Sequence, residues 1–375
     1  MIPNIDHYWL KNACVPISLL QIEDLNLANR IRERGATRQP QENVCWVDLE
    51  IKAGAIAHLN LAETTPIADE LALDLQGRQV WPCFIDMHTH LDKGHIWPRS
   101  PNLDGTFANA LATVAADRTQ HWHAEDIYRR LEFGLKCSYA HGTQAIRTHL
   151  DCLDQQADIS LEVFTALQAA WADRLTLQAV SLVSLDYFQT PAGEKLADQL
   201  AEMGGLLGGL PLMGPELETQ LDRVFTLAQE RGLDLDFHTD ESGNPDDITL
   251  QRVAAAAIRN EFTGRVICGH CCSLAVQSSN VVRQTLDLVK QAGIGIVSLP
   301  MCNLYLQDRQ LDRTPRWRGV TLLHELKGGG IPVAIASDNC RDPFYGFGDH
   351  DMLEVFMMAT RIAHLDVPYS DWPRA

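Results

Sequence analysis

The sequence predicts a (β/α)8 TIM barrel with a small N-terminal β domain. Between residues 80 and 340, eight short runs rich in apolar and β-branched residues alternate with longer amphipathic stretches. This alternation is typical of parallel strands joined by crossover helices, and eight is the strand number of the barrel. Several of the runs end in histidine or aspartate, at the end of the barrel where reacting groups lie.

Each predicted element follows from its own run of residues. The eight predicted strands are residues 83–88, 144–149, 175–180, 206–210, 233–238, 265–270, 294–299 and 331–336. Apolar residues at helical spacing predict helices at 126–136, 160–172, 216–230, 248–259 and 281–292. Before residue 80, apolar and polar residues alternate over shorter stretches, which lie around Gly54 and Gly77. We therefore expect a small β domain over residues 1–80 and a (β/α)8 barrel over residues 81–375.

Composition and charge limit the class of partner. The 31 basic and 49 acidic residues give a net charge of −18, which disfavours binding to nucleic acid or to an anionic membrane surface. No apolar run is long enough for a membrane span and no signal peptide is evident. The ten cysteines lack the spacing of a disulfide framework. These features predict a cytoplasmic protein that acts on a small molecule. They do not decide whether the protein forms a homo-oligomer.

The predicted strand ends carry residues that could bind a metal ion. His88 and His90 are two residues apart on strand one, so their side chains point the same way. His238 ends strand five, His270 ends strand six and Asp338 follows strand eight. A single histidine at a strand end is more often structural, but their convergence favours a metal site. A catalytic metal takes nitrogen and oxygen ligands and keeps one position open, which His88, His90, His238 and Asp338 allow.

Five local phrases, in this order, resemble the amidohydrolase superfamily and its cytosine deaminase-like branch. They are PCFIDMHTHLD at 82–92, RTHLD at 147–151, DFHTDE at 236–241, LQDR at 306–309 and SDNCRDPF at 337–344. The resemblance implies one divalent metal ion, Fe²⁺ or Zn²⁺, held by His88, His90, His238 and Asp338. Binuclear relatives usually add a carboxylated lysine on strand four, but residues 208–214 contain no lysine. A single ion is therefore expected.

The resemblance also implies a hydrolytic deamination. A divalent cation lowers the pKa of bound water from near 16 to about 7, and Asp338 is the expected acceptor of that proton. Glu241 would protonate a ring nitrogen and then the departing amine, and His270 would hold the attacking water or the developing oxyanion. The expected reaction releases ammonia from a small nitrogen heterocycle, cytosine or a related aminopyrimidine, through a metal-bound hydroxide. The alternative for Glu241 is a carboxylate that caps the next helix.

Substrate contacts are expected from five further residues. Cytosine deaminases of this type carry a glutamine at the end of strand three, where this sequence has Ser184. The shorter side chain leaves room for a larger or differently substituted ring. Asn339 and Phe344 follow the metal-binding aspartate and are expected to form pocket walls. Lys93 is expected near the pocket mouth, and His149 to line the pocket or to join a buried polar network.

Several alternatives remain open or are rejected on the sequence. The same chemistry would serve to hydrolyse a cyclic amide or an amino-triazine C–N bond, and a catalytically silent barrel could act as a binding module. Cys268 and Cys271 have the spacing of a thiol–disulfide oxidoreductase motif, but they end the sixth strand of a much longer alternation. By resemblance, strands that follow the barrel complete the small β domain. We expect such a closing segment to be missing from the sequence given, which ends at Ala375.

Overall fold

The structure is a computed structural model that describes residues 5–20, 29–30, 33, 43–62, 71–367 and 371–375. The described residues form two compact units. One contains residues up to Cys83 together with those from Asp366 onward, and the other is Phe84–Leu365. In the described part of the chain, no helix is both long and apolar enough to cross a lipid bilayer.

The first unit contains a four-stranded sheet in the order β3-β2-β1-β4. Its strands are β1 (His7–Pro16), β2 (Val44–Lys52), β3 (Ala55–Leu61) and β4 (Ala72–Asp74). β1, β2 and β3 pair antiparallel, whereas β4 runs parallel to β1. Val15, Val47 and Leu49 are buried in a small apolar core of this sheet, so the unit has a core of its own.

The second unit is an α/β structure built on parallel strands, one in each of the eight predicted runs. These strands are β5 (Phe84–Thr89), β6 (Thr143–Asp151), β7 (Thr176–Leu182), β8 (Leu207–Gly209), β9 (Leu235–Thr239), β10 (Val266–His270), β11 (Gly295–Ser298) and β12 (Val333–Ile335). They form a sheet in the order β5-β6-β7 and a sheet in the order β12-β11-β10-β9-β8. Parallel bridges join β7 to the β8 segment, at Val180–Leu206 and Ser184–Leu210, and join β5 to the end of β12, at Thr89–Asp338.

Helices connect these strands. In the described ranges they are α1 (Phe107–His121), α2 (Ala124–Ala140), α3 (Gln155–Ala170), α4 (Pro191–Met203), α5 (Leu217–Arg231), α6 (Thr249–Arg259), α7 (Ser279–Ala292), α8 (Pro300–Leu306), α9 (Leu323–Gly328) and α10 (Met352–Ala363). Each of the five predicted helices is present, as α2, α3, α5, α6 and α7. α1 was not predicted, and it forms one wall of the candidate site.

Local sequence signals set the helix ends. His123 caps α2 by accepting a hydrogen bond from the backbone N–H of Asp126, and Thr190 with Pro191 begins α4. Gly232 and Gly293 end α5 and α7 in the left-handed conformation. Short connections of this kind return the chain to the next strand, so that the polar strand ends collect at one edge of the parallel sheets.

The thiols of the rejected oxidoreductase motif are inert. Cys268 and Cys271 are free and fully buried. Burial raises the pKa of both thiols well above the ordinary value, whereas a reactive cysteine needs a lowered pKa and access to solvent. They pack as apolar core residues.

Candidate active site

Asp338 is held against strand β5 by the backbone. Its N–H donates to the carbonyl of His88 at 2.9 Å, and its own carbonyl accepts from the hydroxyl of Thr89 at 2.8 Å and from the N–H of His90 at 3.3 Å. The alternation of side chains along β5 and into residue 90 places His88 and His90 on the same side. The ends of β5 and β12 thus bring two histidines and one carboxylate together.

The predicted metal ligands converge. The Nε2 atom of His238 lies 3.2 Å from the Nε2 atoms of both His88 and His90. Oδ1 of Asp338 lies 3.3 Å from Nε2 of His90 and 3.8 Å from Nε2 of His88. These four side chains are almost completely buried. Three nitrogens and one carboxylate oxygen therefore face a common point.

The protonation of this cluster fits a cation. Burial lowers the pKa of His88, His90 and His238 well below the ordinary value, so the imidazoles are neutral, as metal ligands must be. Both oxygens of the Asp338 carboxylate are buried without a hydrogen-bond partner among the described residues, and burial raises its pKa to about 7. A buried, unpartnered carboxylate is costly unless a cation compensates it. The donor set of three imidazoles and one carboxylate suits zinc or iron.

Strand β8 has no space for a bridging ligand. A Cβ atom on Gly208 would lie 2.3 Å from the carbonyl oxygen of Asp236 and 2.3 Å from Cγ1 of Val180. A Cβ atom on Gly209 would lie 2.5 Å from the carbonyl oxygen of Val183. The two glycines are needed for the close approach of β8 to its neighbours, which agrees with the expectation of a single ion.

Glu241 faces the site because its neighbour Asp240 takes the capping role. The side chain of Asp240 accepts hydrogen bonds from the backbone N–H groups of Thr249 and Leu250, at 2.6 and 3.1 Å, and from the hydroxyl of Thr249. These bonds anchor the start of α6. Asp240 has a positive φ of 50°, which turns the chain so that the next side chain, Glu241, joins the cavity lining.

Glu241 and His270 share one amide group. The side-chain N–H₂ of Asn303, on α8, donates to Nδ1 of His270 at 3.1 Å and to Oε1 of Glu241 at 3.3 Å. Since Nδ1 of His270 then accepts, its ring proton sits on Nε2, which is buried without a partner among the described residues. Burial lowers the pKa of His270 to about 3. His270 is therefore a neutral N–H donor beside the ligand cluster.

The surroundings of Glu241 favour the protonated form of its carboxyl. Burial, followed by the negative charge of Asp338, raises the pKa of Glu241 well above its ordinary value. The pKa values of Glu241 and of the imidazoles are thus shifted in opposite directions by the same burial. A protonated carboxyl next to neutral histidines is an arrangement suited to general acid catalysis.

A cavity of about 350 Å³ opens onto these groups. Its polar end contains His90, His238, Glu241, His270 and Asp338. Its opposite wall is mostly apolar and comes largely from α1. The remaining lining residues are Lys93, Phe107, Leu111, Val114, Ala115, Arg118, Asp151, Leu153, Leu182, Val183, Ser184, Leu210, Asn339 and Phe344.

Four of the five expected substrate contacts line the cavity, namely Ser184, Asn339, Phe344 and Lys93. Lys93 lies deeper than the expected position at the mouth. It is buried, and its Nζ lies 2.7 Å from Oδ1 of Asp151 and 3.3 Å from Nδ1 of His90. The fifth, His149, does not line the cavity. Its ring is fully buried and stacks on the far side of His88, with the ring centroids 3.9 Å apart.

Sequence reasoning missed Asn303 and Arg118. Asn303 follows the predicted strand 294–299 by four residues. It lies on α8, whose last residue, Leu306, begins the LQDR phrase, and this proximity was the available signal. Arg118 lies on α1 and pairs with Asp151 at 2.8 Å. The sequence gives no signal that distinguishes Arg118 from a surface arginine, because its position depends on α1 lying over the cavity.

Comparison with known proteins identifies the family. A model of the amidohydrolase family matches residues 131–375. The chain is also 49% identical over 367 residues to a pterin deaminase from Rhizobium rhizogenes strain K84, an alignment that covers 98% of this chain and 81% of that protein. The chain belongs to the amidohydrolase family. Amidohydrolase relatives have an α/β fold of the TIM-barrel type, in agreement with the parallel strands of the second unit.

Two further relatives are similar over most of the chain. A 5-methylcytosine deaminase from Klebsiella pneumoniae, solved with 5-fluorocytosine, superposes with a TM-score of 0.79 at 26% identity, covering 97% of this chain and 82% of that one. An N-isopropylammelide isopropyl amidohydrolase from Pseudomonas sp. strain ADP is 27% identical over 326 residues, 84% of this chain and 76% of that protein. Deaminases of the amidohydrolase family use a divalent metal ion, and the cluster of histidines and Asp338 is compatible with one.

Proposed function

We propose that this amidohydrolase is a metal-dependent hydrolytic deaminase of a pterin. In the overall reaction, water replaces the exocyclic amino group of the fused ring with oxygen and ammonia is released. The eight parallel strands, joined by bridges on both sides of the two sheets, would form the closed barrel that carries the site. Pterin takes the place of cytosine as the proposed substrate.

The observation that carries the proposal is a buried carboxyl, that of Glu241, in the same cavity as the cluster of histidines and Asp338. Glu241 is held by Asn303 at 3.3 Å, its pKa is raised by burial, and it lines the same cavity as His90, His238 and Asp338. Removal of an amine by water requires one group that accepts a proton and one that donates it. Asp338 and Glu241 supply these two groups within one cavity.

Two observations support a fused ring over a single pyrimidine. The relative named for pterin deamination is 49% identical to this chain, whereas the 5-methylcytosine deaminase is 26% identical. Ser184 lines the cavity, at the position where the resemblance to cytosine deaminases implies a glutamine. A serine hydroxyl leaves space for a second ring, and the apolar wall of Phe107, Leu111 and Val114 can pack against it.

The residues of this chain then act as follows. His88, His90, His238 and Asp338 would hold the metal, which when bound makes water a nucleophile at neutral pH. Asp338 accepts the proton of the attacking water. Glu241 gives its proton to a ring nitrogen next to the carbon under attack. The Nε2 proton of His270 hydrogen-bonds to the oxygen that adds to this carbon.

The departing amine needs a second proton. Asp338 returns the proton taken from water to the amino nitrogen, and Glu241, ionised once it has protonated the ring nitrogen, accepts the remaining proton of the added oxygen. Ammonia then leaves, the carbon–oxygen double bond forms, and both carboxyls regain their starting protonation. Lys93, fixed by Asp151, keeps a positive charge next to His90. The apolar wall excludes bulk water, so that each of these proton transfers occurs among fixed groups.

A second candidate is hydrolysis of the C–N bond to a substituted amine on a triazine. The relative named for this reaction on N-isopropylammelide is 27% identical over 84% of this chain. The cluster and Glu241 would act on such a ring in the same way, and the products differ only in the amine released. An alkylamine in place of ammonia separates the two candidates.

The test is an assay of ammonia release by metal-loaded protein. Pterin, cytosine, isocytosine, an alkylamino-triazine and a creatinine-like cyclic amide are offered at equal concentration, with the Glu241→Gln variant as control. We expect ammonia from pterin, at a kcat/KM above that for cytosine. No ammonia from any ring, or equal release by wild type and variant, would overturn the proposal.

A further inference from the structure

Three further metal-ligand side chains meet in a second cluster. His95 lies in the loop after β5, Cys340 in the loop after β12, and His350 just before α10. One ligand atom from each of them lies within 4.8 Å of the other two. None of the three residues lines the catalytic cavity. We call His95, Cys340 and His350 the loop cluster.

The spacing within the loop cluster fits a tetrahedral ion. The Nε2 atoms of His95 and His350 lie 3.2 Å apart. Two imidazoles bound to one zinc ion at about 2.0–2.1 Å in tetrahedral geometry hold their nitrogens about 3.3 Å apart. The catalytic pairs of His238 with His88 and with His90 show the same 3.2 Å separation. The loop cluster therefore repeats the geometry of the catalytic ligands.

The two histidines of the loop cluster have the protonation of metal ligands. Burial lowers the pKa of His95 to about 4 and that of His350 to about 3, so both rings are neutral. Cys340 and His350 are 2% and 3% exposed, and Nδ1 of His350 has no partner among the described residues. Burial raises the pKa of the Cys340 thiol, and the backbone N–H of His350 acts in the opposite direction, so the thiolate forms when a cation replaces its proton.

Two residues of the loop cluster share an uncommon backbone conformation with two residues of the candidate active site. His95 and His350 have positive φ values of 66° and 61°, as do the catalytic residues His270 and Asp338 at 68° and 64°. Residues with a side chain adopt this conformation in a small minority of cases, and the described residues with it also include positions outside both clusters, such as Asn12 and Gln76. The negative charge of Asp349 raises the pKa of Cys340, and the positive charges of Arg341 and Arg130 lower the pKa of His95. The carboxylate of Asp349 can thus offset part of the positive charge of these two arginines.

We propose that His95, Cys340 and His350 form a second metal site, which takes a thiophilic first-row cation such as Zn²⁺. Two imidazole nitrogens and one thiolate bind the ion, and water fills the fourth position. The thiol proton of Cys340 is released on binding. The ion would tie together the loops that follow His90 and Asp338, which are already joined by the hydrogen bond from the N–H of His95 to the carbonyl of Cys340, at 3.2 Å. Its role is structural, and it is separate from the catalytic ion.

The test is a cobalt titration of metal-free protein followed by absorption. Two equivalents of Co²⁺ should bind, and one of them should give a near-ultraviolet charge-transfer band from a sulfur ligand. Cys340→Ser should lose this band and one equivalent and keep the other. Cys302→Ser is the matched control, because Cys302 is the thiol that lies beside Glu241 and Asp338, and it should keep the band.

A third variant keeps the test decisive if the Cys340→Ser variant does not fold. His95 is partly exposed, so His95→Asn should fold even if Cys340→Ser does not, and it should also bind one equivalent fewer. Zinc should raise the midpoint of thermal unfolding of wild type more than that of His95→Asn. Binding of one equivalent by wild type, or a sulfur band that survives Cys340→Ser and disappears in Cys302→Ser, would overturn the second site. Neither outcome affects the proposed deamination.

Discussion

Oε1 of Glu241 lies 3.2 Å from Nδ1 of His270. The amide of Asn303 bridges the same two atoms, at 3.3 and 3.1 Å. The proposed proton donor and the proposed oxygen-binding histidine are therefore positioned by one side chain from α8. Because Nδ1 of His270 accepts the Asn303 proton, the orientation of this amide also fixes which nitrogen of His270 faces the cavity.

Replacing Glu241 by glutamine should stop proton donation and leave metal binding intact. Glu241 is not among the four ligands, and glutamine preserves its size, so the metal content of Glu241→Gln should equal that of wild type. Loss of a general acid lowers kcat by about 10²–10⁴-fold. Steady-state kinetics on the preferred ring, with metal analysis of the same sample, measure both quantities. A variant with normal kcat, or one that has lost its metal, would contradict the assigned role.

Replacing Asn303 by alanine should slow the reaction and move its pH profile. Such supporting residues typically contribute about 10–100-fold, and we expect a loss of that order in kcat. The Asn303 hydrogen bond favours the carboxylate form of Glu241 and so lowers its pKa. Without it the pKa of Glu241 rises, and the acid stays protonated to a higher pH. The alkaline limb of kcat against pH should therefore shift upward.

Gln307→Ala is the matched control for this shift. Gln307 donates to the backbone carbonyl of Glu241 at 3.2 Å, and not to its carboxyl group. Its removal can loosen the same segment, but it does not remove a hydrogen bond from the titrating oxygens. An equal shift of the alkaline limb in both variants would mean that Asn303 acts only by supporting the backbone.

Ser184→Gln should move specificity from the fused ring toward cytosine. The longer side chain would fill space next to Leu210, to which Ser184 is bridged. It would also offer the side-chain amide that is expected to bind the amide edge of the pyrimidine in cytosine deaminases. We expect the ratio of kcat/KM for pterin to that for cytosine to fall by about 10-fold or more. Ser184→Ala removes the hydroxyl without filling the space and should change this ratio little. An equal effect of both substitutions would exclude the steric explanation.

The sequence predicted the strands and the convergence of the four candidate ligands because both follow from local properties. Parallel strands form from short apolar runs, and a residue at the end of such a run must face the edge of the sheet where active sites lie. His238 and His270 were assigned on that rule, and their place at the ends of β9 and β10 follows from it. His88 and His90 required only the alternation of side chains along one strand.

Residues that act through distant partners escaped prediction. The role of Asn303 depends on where α8 meets β9 and β10, and that of Arg118 on α1 lying over the cavity. His149 shares the strand parity of Asp151, but its ring stacks on that of His88, whereas Asp151 lines the cavity. Asp240 and Glu241 are adjacent carboxylates, and the sequence alone does not decide which of them caps the helix and which enters the site. The turn at Asp240 decides it.

An arginine–carboxylate network near the start of α2 supplies pH-dependent stability. Arg99 donates to Asp117 at 2.8 and 2.9 Å and to Asp126 at 2.6 and 2.9 Å. Arg130 also donates to Asp126, at 2.9 Å. Burial alone would raise the pKa of Asp126, but the hydrogen bonds and charges of the two arginines outweigh it and lower that pKa to about 2. The folded state thus prefers the charged form.

Asp126→Asn should therefore destabilise the fold at neutral pH and have progressively less effect in acid. Since the pKa of Asp126 is lowered from 3.8 to about 2 on folding, its contribution is fully present above about pH 4 and is lost as the pH falls toward 2. Hydrogen bonds to charged groups contribute about 1.5–3 kcal/mol, and we expect a decrease of about 1–3 kcal/mol in the free energy of unfolding near neutral pH. Denaturant unfolding of wild type and variant across this range measures the difference. Asp173→Asn, a change at a side chain 80% exposed, is the control, and a difference for Asp126→Asn that did not vary with pH would rule out the ionised carboxylate as its source.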